Sequence, residues 1–178
     1  VASLSAFAGC TPVVAAHEGA RAVPVEPLAC VSVTVWSDLG IPLPAAGRWM
    51  DAGSLVIVWV GPGHFMVQRG GEAPLLPEVA ALVGDAAALI DLTDARATLR
   101  LSGPAARDIL AAFLPIDLHP RAFAPGHAAT TVAGHLTVQV RQVAADSYDL
   151  AVSRSFAGSL WRALELAGAG RLSLHPGR

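Results

Sequence analysis

Apolar and polar positions alternate strictly in Val31-Ser-Val-Thr-Val-Trp36, and that period of two predicts a half-buried strand. Leu55–Val60 (LVIVWV) is instead a continuous apolar run between Gly53 and Gly61. It is too short for a helix and rich in β-branched residues, so it predicts a central strand. Gly61-Pro62-Gly63 turns the chain, and His64–Gln68 returns as a partner strand. The period then lengthens. Over Pro74–Val83, Leu75, Val79 and Leu82 share one helical face, and Gly84 stands where a helix ends. Ala87–Leu92 and Arg96–Ser102 read as a hairpin about Thr93-Asp94-Ala95, with Ala97, Leu99 and Leu101 inward and Arg96, Thr98 and Arg100 outward.

A second helix follows, with Ser102 or Gly103 as its cap, Pro104 in the first turn and Asp108 near the positive end. Its buried stripe is Ala106, Ile109, Leu110, Phe113 and Leu114, and Pro115 stops it. After a loop over Asp117–Gly126, Thr130–Val143 reads as one long or broken strand, interrupted near Gly134, paired with Ser147–Arg154. Ser155 then caps a last helix that buries Phe156, Leu160, Trp161 and Leu164 and ends at Gly168. Hairpins thus alternate with helices. That order predicts an α+β fold of two ferredoxin-like lobes, with helices packed on antiparallel or mixed sheet. The expected divisions are an N-terminal arm (1–27) that is extended rather than core, a domain (28–168) and a polar C-terminal tail (169–178).

Composition narrows the function. The chain has 178 residues, 53% hydrophobic and only 15% charged, where soluble domains average about 25% charged. Intrinsic disorder is excluded, and a surface partly given over to partners is implied. A net charge of −2 argues against a nucleic-acid partner. Every basic residue is Arg, which removes Schiff-base and phosphate-loop lysine chemistry. Cys10 and Cys30 fit a reducing compartment. Val1–Cys10 ends on small residues before a Cys, as a lipoprotein box does, but no positive charge precedes it, so it reads as a tail. No apolar run reaches the length of a membrane span, and the expected location is cytoplasmic.

No self-sufficient active site stands out. Gly61-Pro-Gly63 opens a dinucleotide-like pattern, but Met66 occupies the sixth position and no helix is expected after it. There is no G-x-S-x-G or H-E-x-x-H pattern, and neither Cys has a C-x-x-C partner. His119, His127 and His135 recur at a spacing that fits no zinc site. Asp91 and Asp94 read as turn residues rather than an acid–base pair.

Five segments together resemble one family, the gamma subunit of heterotetrameric sarcosine oxidases. They are Leu39–Arg48 (LGIPLPAAGR), Trp59–Val67 (WVGPGHFMV), Asp91–Leu110 (DLTDARATLRLSGPAARDIL), Asp117–Gly126 (DLHPRAFAPG) and Val152–Leu164 (VSRSFAGSLWRAL). The most specific motifs are Ser102-Gly103-Pro104-x-Ala106-Arg107, Asp117-Leu118-His119-Pro120-Arg121-x-Phe123 and Arg154-Ser155-Phe156-Ala157. The chain departs from the family at His64-Phe65, where an acidic residue and Trp are usual, and at Ala112-Phe113-Leu114, where Lys-Gly-Cys is frequent.

The resemblance implies a fold like the folate-binding domain of aminomethyltransferases. It implies a complex that oxidatively demethylates sarcosine or a related N-methyl amino acid to give glycine, formaldehyde or methylene-tetrahydrofolate, and hydrogen peroxide. FAD, FMN, NAD and tetrahydrofolate would sit on partner alpha, beta and delta subunits, with no catalytic, cofactor-binding or metal-binding residue on this chain. Arg107, His119, Arg121, Phe123, Arg154, Phe156 and Trp161 are then candidate interface or structural residues. The other reading is a free-standing folate-binding or one-carbon-transfer protein of the same fold.

Overall fold

A computed structural model describes residues 6–7, 19–25, 28–71 and 73–172. The fold is α+β, and every ladder between its strands is antiparallel. The strands are β1 (Arg21–Pro24), β2 (Leu28–Val35), β3 (Trp49–Ala52), β4 (Leu55–Gly61), β5 (His64–Gly70), β6 (Ala87–Asp91), β7 (Arg96–Ser102), β8 (Ala128–Ala133), β9 (Leu136–Ala144) and β10 (Ser147–Ser153). The helices are α1 (Leu76–Val83), α2 (Ala106–Ala111) and α3 (Ala157–Leu172).

One sheet has the order β3-β4-β5-β2-β6, the other β1-β7-β10-β9-β8. β6 and β7 therefore do not form the expected hairpin. Both edges of β7 are occupied, by β1 and β10, so the turn at Thr93–Ala95 carries the chain from one sheet to the other. Asp91 Oδ1 accepts the Thr93 N–H at 3.0 Å, and Thr93 Oγ1 accepts the Cys30 N–H at 3.1 Å, which fixes that corner.

The N-terminal segment also differs from expectation. Arg21–Pro24 pairs with β7, and Phe7, Ala20 and Ala22 are buried in the core, so part of the arm is core. Pro24 is tolerated because β1 is an edge strand. The lipoprotein-like Cys10 lies outside the described residues.

Each sheet buries one face against helices. In the first, Val31, Val33, Ile57, Phe65 and Val67 pack with Leu75, Val79 and Val83 of the α1 region. The buried stripe of α1 is thus Leu75–Val79–Val83, and Leu82, expected inward, is 48% exposed. Gly84 ends the helix with φ +53°, as expected. In the second sheet, Leu99, Leu101, Val138, Val140, Tyr148, Leu150 and Val152 meet Ile109 and Leu110 of α2 and Leu160, Trp161 and Leu164 of α3. Each such fully buried aliphatic side chain contributes about 1.5–3 kcal/mol.

The remaining faces of the two sheets look at each other. Cys30, Val58 and Met66 of the first sheet pack with Ala128 of the second. The order of layers is helix, sheet, sheet, helices. A strap closes one side: the Trp49 N–H donates to the Gly126 carbonyl (3.0 Å) and the Ala128 N–H to the Gly47 carbonyl (2.9 Å).

Further boundaries move for local reasons. Gly134, at φ +62°, breaks the strand where the interruption was expected and makes the β8–β9 hairpin. α2 begins at Ala106, with Ala105 as its N-cap and no side-chain cap bond, so neither Ser102 nor Gly103 caps it. Gly103 serves another purpose. Its φ is +116°, and a Cβ there would overlap the Gly19 carbonyl oxygen, so the chain can cross itself only at a glycine. α3 is preceded by a 3₁₀ turn, Arg154–Phe156, which displaces Ser155 from the cap position and turns Phe156 outward. Gly168 is buried and lacks the positive φ of a helix-ending glycine, and the helix continues to Leu172.

Candidate functional site: the polar seam between the sheets

Alternation along the strands sorts side chains into two kinds of layer. The helix-covered faces are almost wholly apolar. Ser32 (β2), Gln68 (β5), Thr98 (β7), Gln139 and Arg141 (β9) and Asp149 (β10) are buried on the opposite faces, in the seam between the sheets. The expectation that Arg96, Thr98 and Arg100 face solvent fails here. They lie on the face of β7 turned toward the first sheet, where Thr98 is buried while the Arg100 side chain stays 41% exposed.

Asp149 is the hub, 3% exposed. One oxygen accepts Arg100 Nε at 2.6 Å; the other accepts Arg100 Nη2 at 2.9 Å and Arg141 Nε and Nη2 at 3.1 and 2.8 Å. Donating these hydrogen bonds to Asp149 raises the Arg100 guanidinium above its ordinary value. The Arg141 guanidinium stacks over the Trp49 ring at 5.3 Å, and Trp49 Nε1 donates to the Gln142 carbonyl at 2.9 Å. This group therefore ties β3 of one sheet to β9 and β10 of the other. Arg141 Nη1 and Gln139 Nε2 are buried donors with no partner among the described residues.

Nucleophiles in the seam are held inert. Burial pushes the Cys30 thiol above its ordinary value, outweighing the nearby Arg96 charge, and its sulfur lies 3.9 Å from Met66 Sδ. Burial in turn lowers the Arg96 guanidinium. Ser32 Oγ and His64 Nε2 are 2.7 Å apart, but no carboxylate among the described residues orients the ring. Asp149 has both oxygens occupied by guanidinium groups. Among the described residues no group of three or more His, Cys, Asp or Glu could hold a metal ion. His127 accepts from Arg48 Nη1 at 2.7 Å, and His135 lies edge-on to Phe156 at 6.4 Å.

The motif residues fall into separate places. Arg107 and Phe123 come together: Arg107 Nη1 donates to the Leu118 carbonyl and, at 3.2 Å, to the Phe123 carbonyl, while its guanidinium sits 5.6 Å from the Tyr148 ring centre. Arg107 thus clamps the 117–126 loop onto α2. Within that loop, Asp117 Oδ1 accepts the His119 N–H (2.8 Å) and His119 Nδ1 accepts the Arg121 N–H (3.2 Å). The His119 and Arg121 side chains are exposed. The Arg154 N–H donates to the Ala95 carbonyl at 2.8 Å, joining the start of the last helical segment to the sheet crossover. Trp161 is buried against Phe7 at 6.0 Å and donates to Glu165 Oε1 at 3.2 Å. Phe156 remains exposed beside His135.

Sequence reasoning missed Trp49, Arg100, Arg141 and Asp149. The available signal was charge on alternate positions of otherwise apolar strands, as in Leu99-Arg-Leu101 and Val140-Arg-Gln142.

Comparison with known proteins follows from this geometry. Residues 24–170 match the family model of the sarcosine oxidase gamma subunit family. A sarcosine oxidase subunit gamma from an Arthrobacter species is 34% identical over 125 residues, covering 70% of this chain and 61% of that protein. One from Corynebacterium sp. (strain P-1) is 36% identical over 101 residues, covering 56% of this chain and 50% of that protein. The chain thus spans about half to three-fifths of the length of these curated relatives. Among solved structures, a chain of heterotetrameric sarcosine oxidase from Corynebacterium sp. U-96, in complex with pyrrole 2-carboxylate, superposes with a TM-score of 0.87 at 24% identity over 99% of both chains. The glycine cleavage system aminomethyltransferase T of Bartonella henselae superposes with a TM-score of 0.61 at 16% identity, over 85% of this chain and 46% of that one.

Proposed function

This chain belongs to the sarcosine oxidase gamma subunit family, and from that premise we propose that it is the small, non-catalytic subunit of a heterotetrameric, flavin-dependent sarcosine oxidase. The observation that carries the reading is the family match over residues 24–170, together with a seam whose reactive groups are internally engaged. In such a complex, a flavin held by the partner subunits would accept two electrons from the secondary amine, and loss of the one-carbon unit to water or tetrahydrofolate would leave glycine.

Among the described residues, the glycine turn singled out in the sequence does not fit a dinucleotide site. Gly61–Gly63 is the turn between β4 and β5, so no helix N-terminus follows it to receive a pyrophosphate. FAD, FMN, NAD and tetrahydrofolate are accordingly assigned to the partner alpha, beta and delta subunits. The role of this chain is structural support within that assembly, in the cytoplasm. No helix among the described residues is long and apolar enough to cross a membrane.

The test is co-expression with the large subunits of its own source. The chain should co-purify with larger yellow subunits as a complex that oxidises sarcosine, and Cys30→Ala or His64→Gln in that complex should leave kcat within about twofold. A chain that purifies alone as a stable monomer and binds flavin or tetrahydrofolate stoichiometrically would overturn the assignment.

A further inference from the structure

The outer edge of β6 is built to take another strand. Among the described residues, β6 pairs with β2 on one side only. The Trp36 N–H donates to the Ala86 carbonyl (3.2 Å) and the Leu92 N–H to the Cys30 carbonyl (2.8 Å), which fixes the direction of every backbone group between them. In an antiparallel ladder these directions alternate. Ala88 and Ile90 therefore bond inward to β2, while the N–H and C=O groups of Ala87, Leu89 and Asp91 point away from the sheet. Among the described residues no backbone group meets them.

Natural edges are blunted by Lys, Pro, a bulge or a covering segment. β6 reads Ala-Ala-Leu-Ile-Asp, with no Lys or Pro, and its ladder with β2 has no bulge. The other edges are managed. β1 ends in Pro24, β3 has four residues, and the face of β8 lies against β4.

Two further observations say what fits. On the face where Ser32 and Thr34 pair with Ile90 and Ala88, Ile90 is 60% exposed and Trp36, next in that alternation, is 63% exposed. The rim is acidic: Asp85, Asp91 and Asp94 lie in or beside β6, and the sequence has no basic residue from 70 to 95. A second copy pairing antiparallel about Leu89 would set Asp91 diagonal to Asp85 of that copy, which like charges oppose.

We propose that the β6 edge receives one extended strand of a partner subunit, apolar where it crosses Trp36 and Ile90 and basic at its ends. The proposal rests on the reading of this chain as a subunit. The experiment is hydrogen exchange on the intact complex, resolved to single amides. The Ala87, Leu89 and Asp91 amides should exchange as slowly as the inward-bonded Ala88 and Ile90 amides, about 100-fold or more slower than open edge amides. In parallel, Leu89→Pro removes the outward N–H and should lower retention of the chain in the complex about tenfold, whereas Leu89→Ala, which loses the same core packing but keeps that N–H, should not, and Asp91→Arg should weaken it with the effect shrinking in high salt. Fast exchange at Ala87, Leu89 and Asp91 in an intact complex would overturn the edge proposal and leave the subunit reading standing. Protection that appears in the chain alone and grows with its concentration would overturn it in favour of a second copy. Failure of any larger subunit to co-purify with the unaltered chain would overturn both.

Discussion

Asp149→Asn isolates the energy of the buried ion pair that joins the sheets. The substitution keeps side-chain volume but replaces one acceptor oxygen with an NH₂ group aimed at guanidinium donors. Asp149 accepts four hydrogen bonds, two from Arg100 and two from Arg141. The two arms are unequal. The Arg100 side chain is 41% exposed, so its pairing is worth about 0–1 kcal/mol. The Arg141 side chain is 10% exposed, and without its counter-ion it would stand as a buried charge, which costs about 3–5 kcal/mol. The variant should therefore lose about 3–5 kcal/mol, against a total of about 5–15 kcal/mol for a domain. At roughly 2–4 °C per kcal/mol for this chain length, the midpoint should fall by about 6–20 °C. Urea and thermal unfolding followed by circular dichroism measure both quantities. Arg100→Ala should cost no more than about 1 kcal/mol. The paired change Asp149→Leu with Arg141→Met should recover most of the loss, because it removes both charges together. An Asp149→Asn variant within about 1 kcal/mol of the parent would refute the assignment of a desolvated, obligatory pair.

Other expectations follow from local geometry. Gly103→Ala should cost about 2–4 kcal/mol by urea unfolding, because the residue sits at φ +116° and its methyl group would meet the Gly19 carbonyl; unchanged stability would show that the two segments do not pass so closely. Ser155→Ala should stay within about 0.5 kcal/mol of the parent, since the 3₁₀ turn leaves its hydroxyl without a capping role, whereas Trp161→Ala should cost about 3–5 kcal/mol. Because burial holds the Cys30 thiol above its ordinary value, the folded chain keeps that proton at pH values where the unfolded chain has lost it. Stability is complete below the ordinary thiol range and should decline as pH rises past about 8.5, and Cys30→Ala should flatten that decline.

Strands such as Leu55–Val60 and helices such as Pro74–Val83 were legible because their own residues decide them: a dense apolar run, or a stripe ended by Gly84. The resemblance motifs were legible too, and Gly103 shows why one is restrictive, since only a glycine permits the crossing with Gly19. What was illegible depended on distant segments. β1 and β3 are four residues each and exist because β7 and β4 offer them edges. Thr98 looks like a solvent-facing position, and only the first sheet, invisible in a local pattern, turns its face inward. Ser155 has the chemistry of a cap, but the short turn before α3 takes its place.

The place of β1 has a consequence for how the chain is made. β1 belongs to the sheet of β7–β10, yet the whole of the other sheet, β2 to β6 with α1, lies between β1 and its partner β7. The first lobe is therefore an insertion within the second. On a ribosome, the inserted lobe emerges complete and can fold on contacts close in sequence, while Arg21–Pro24 waits for Leu99–Ser102 to appear. Throughout that interval the β1 backbone and the apolar Ala20 and Ala22 have no native partner. The slowest and most aggregation-exposed step in biogenesis should accordingly be closure of this outer lobe around an already folded insert.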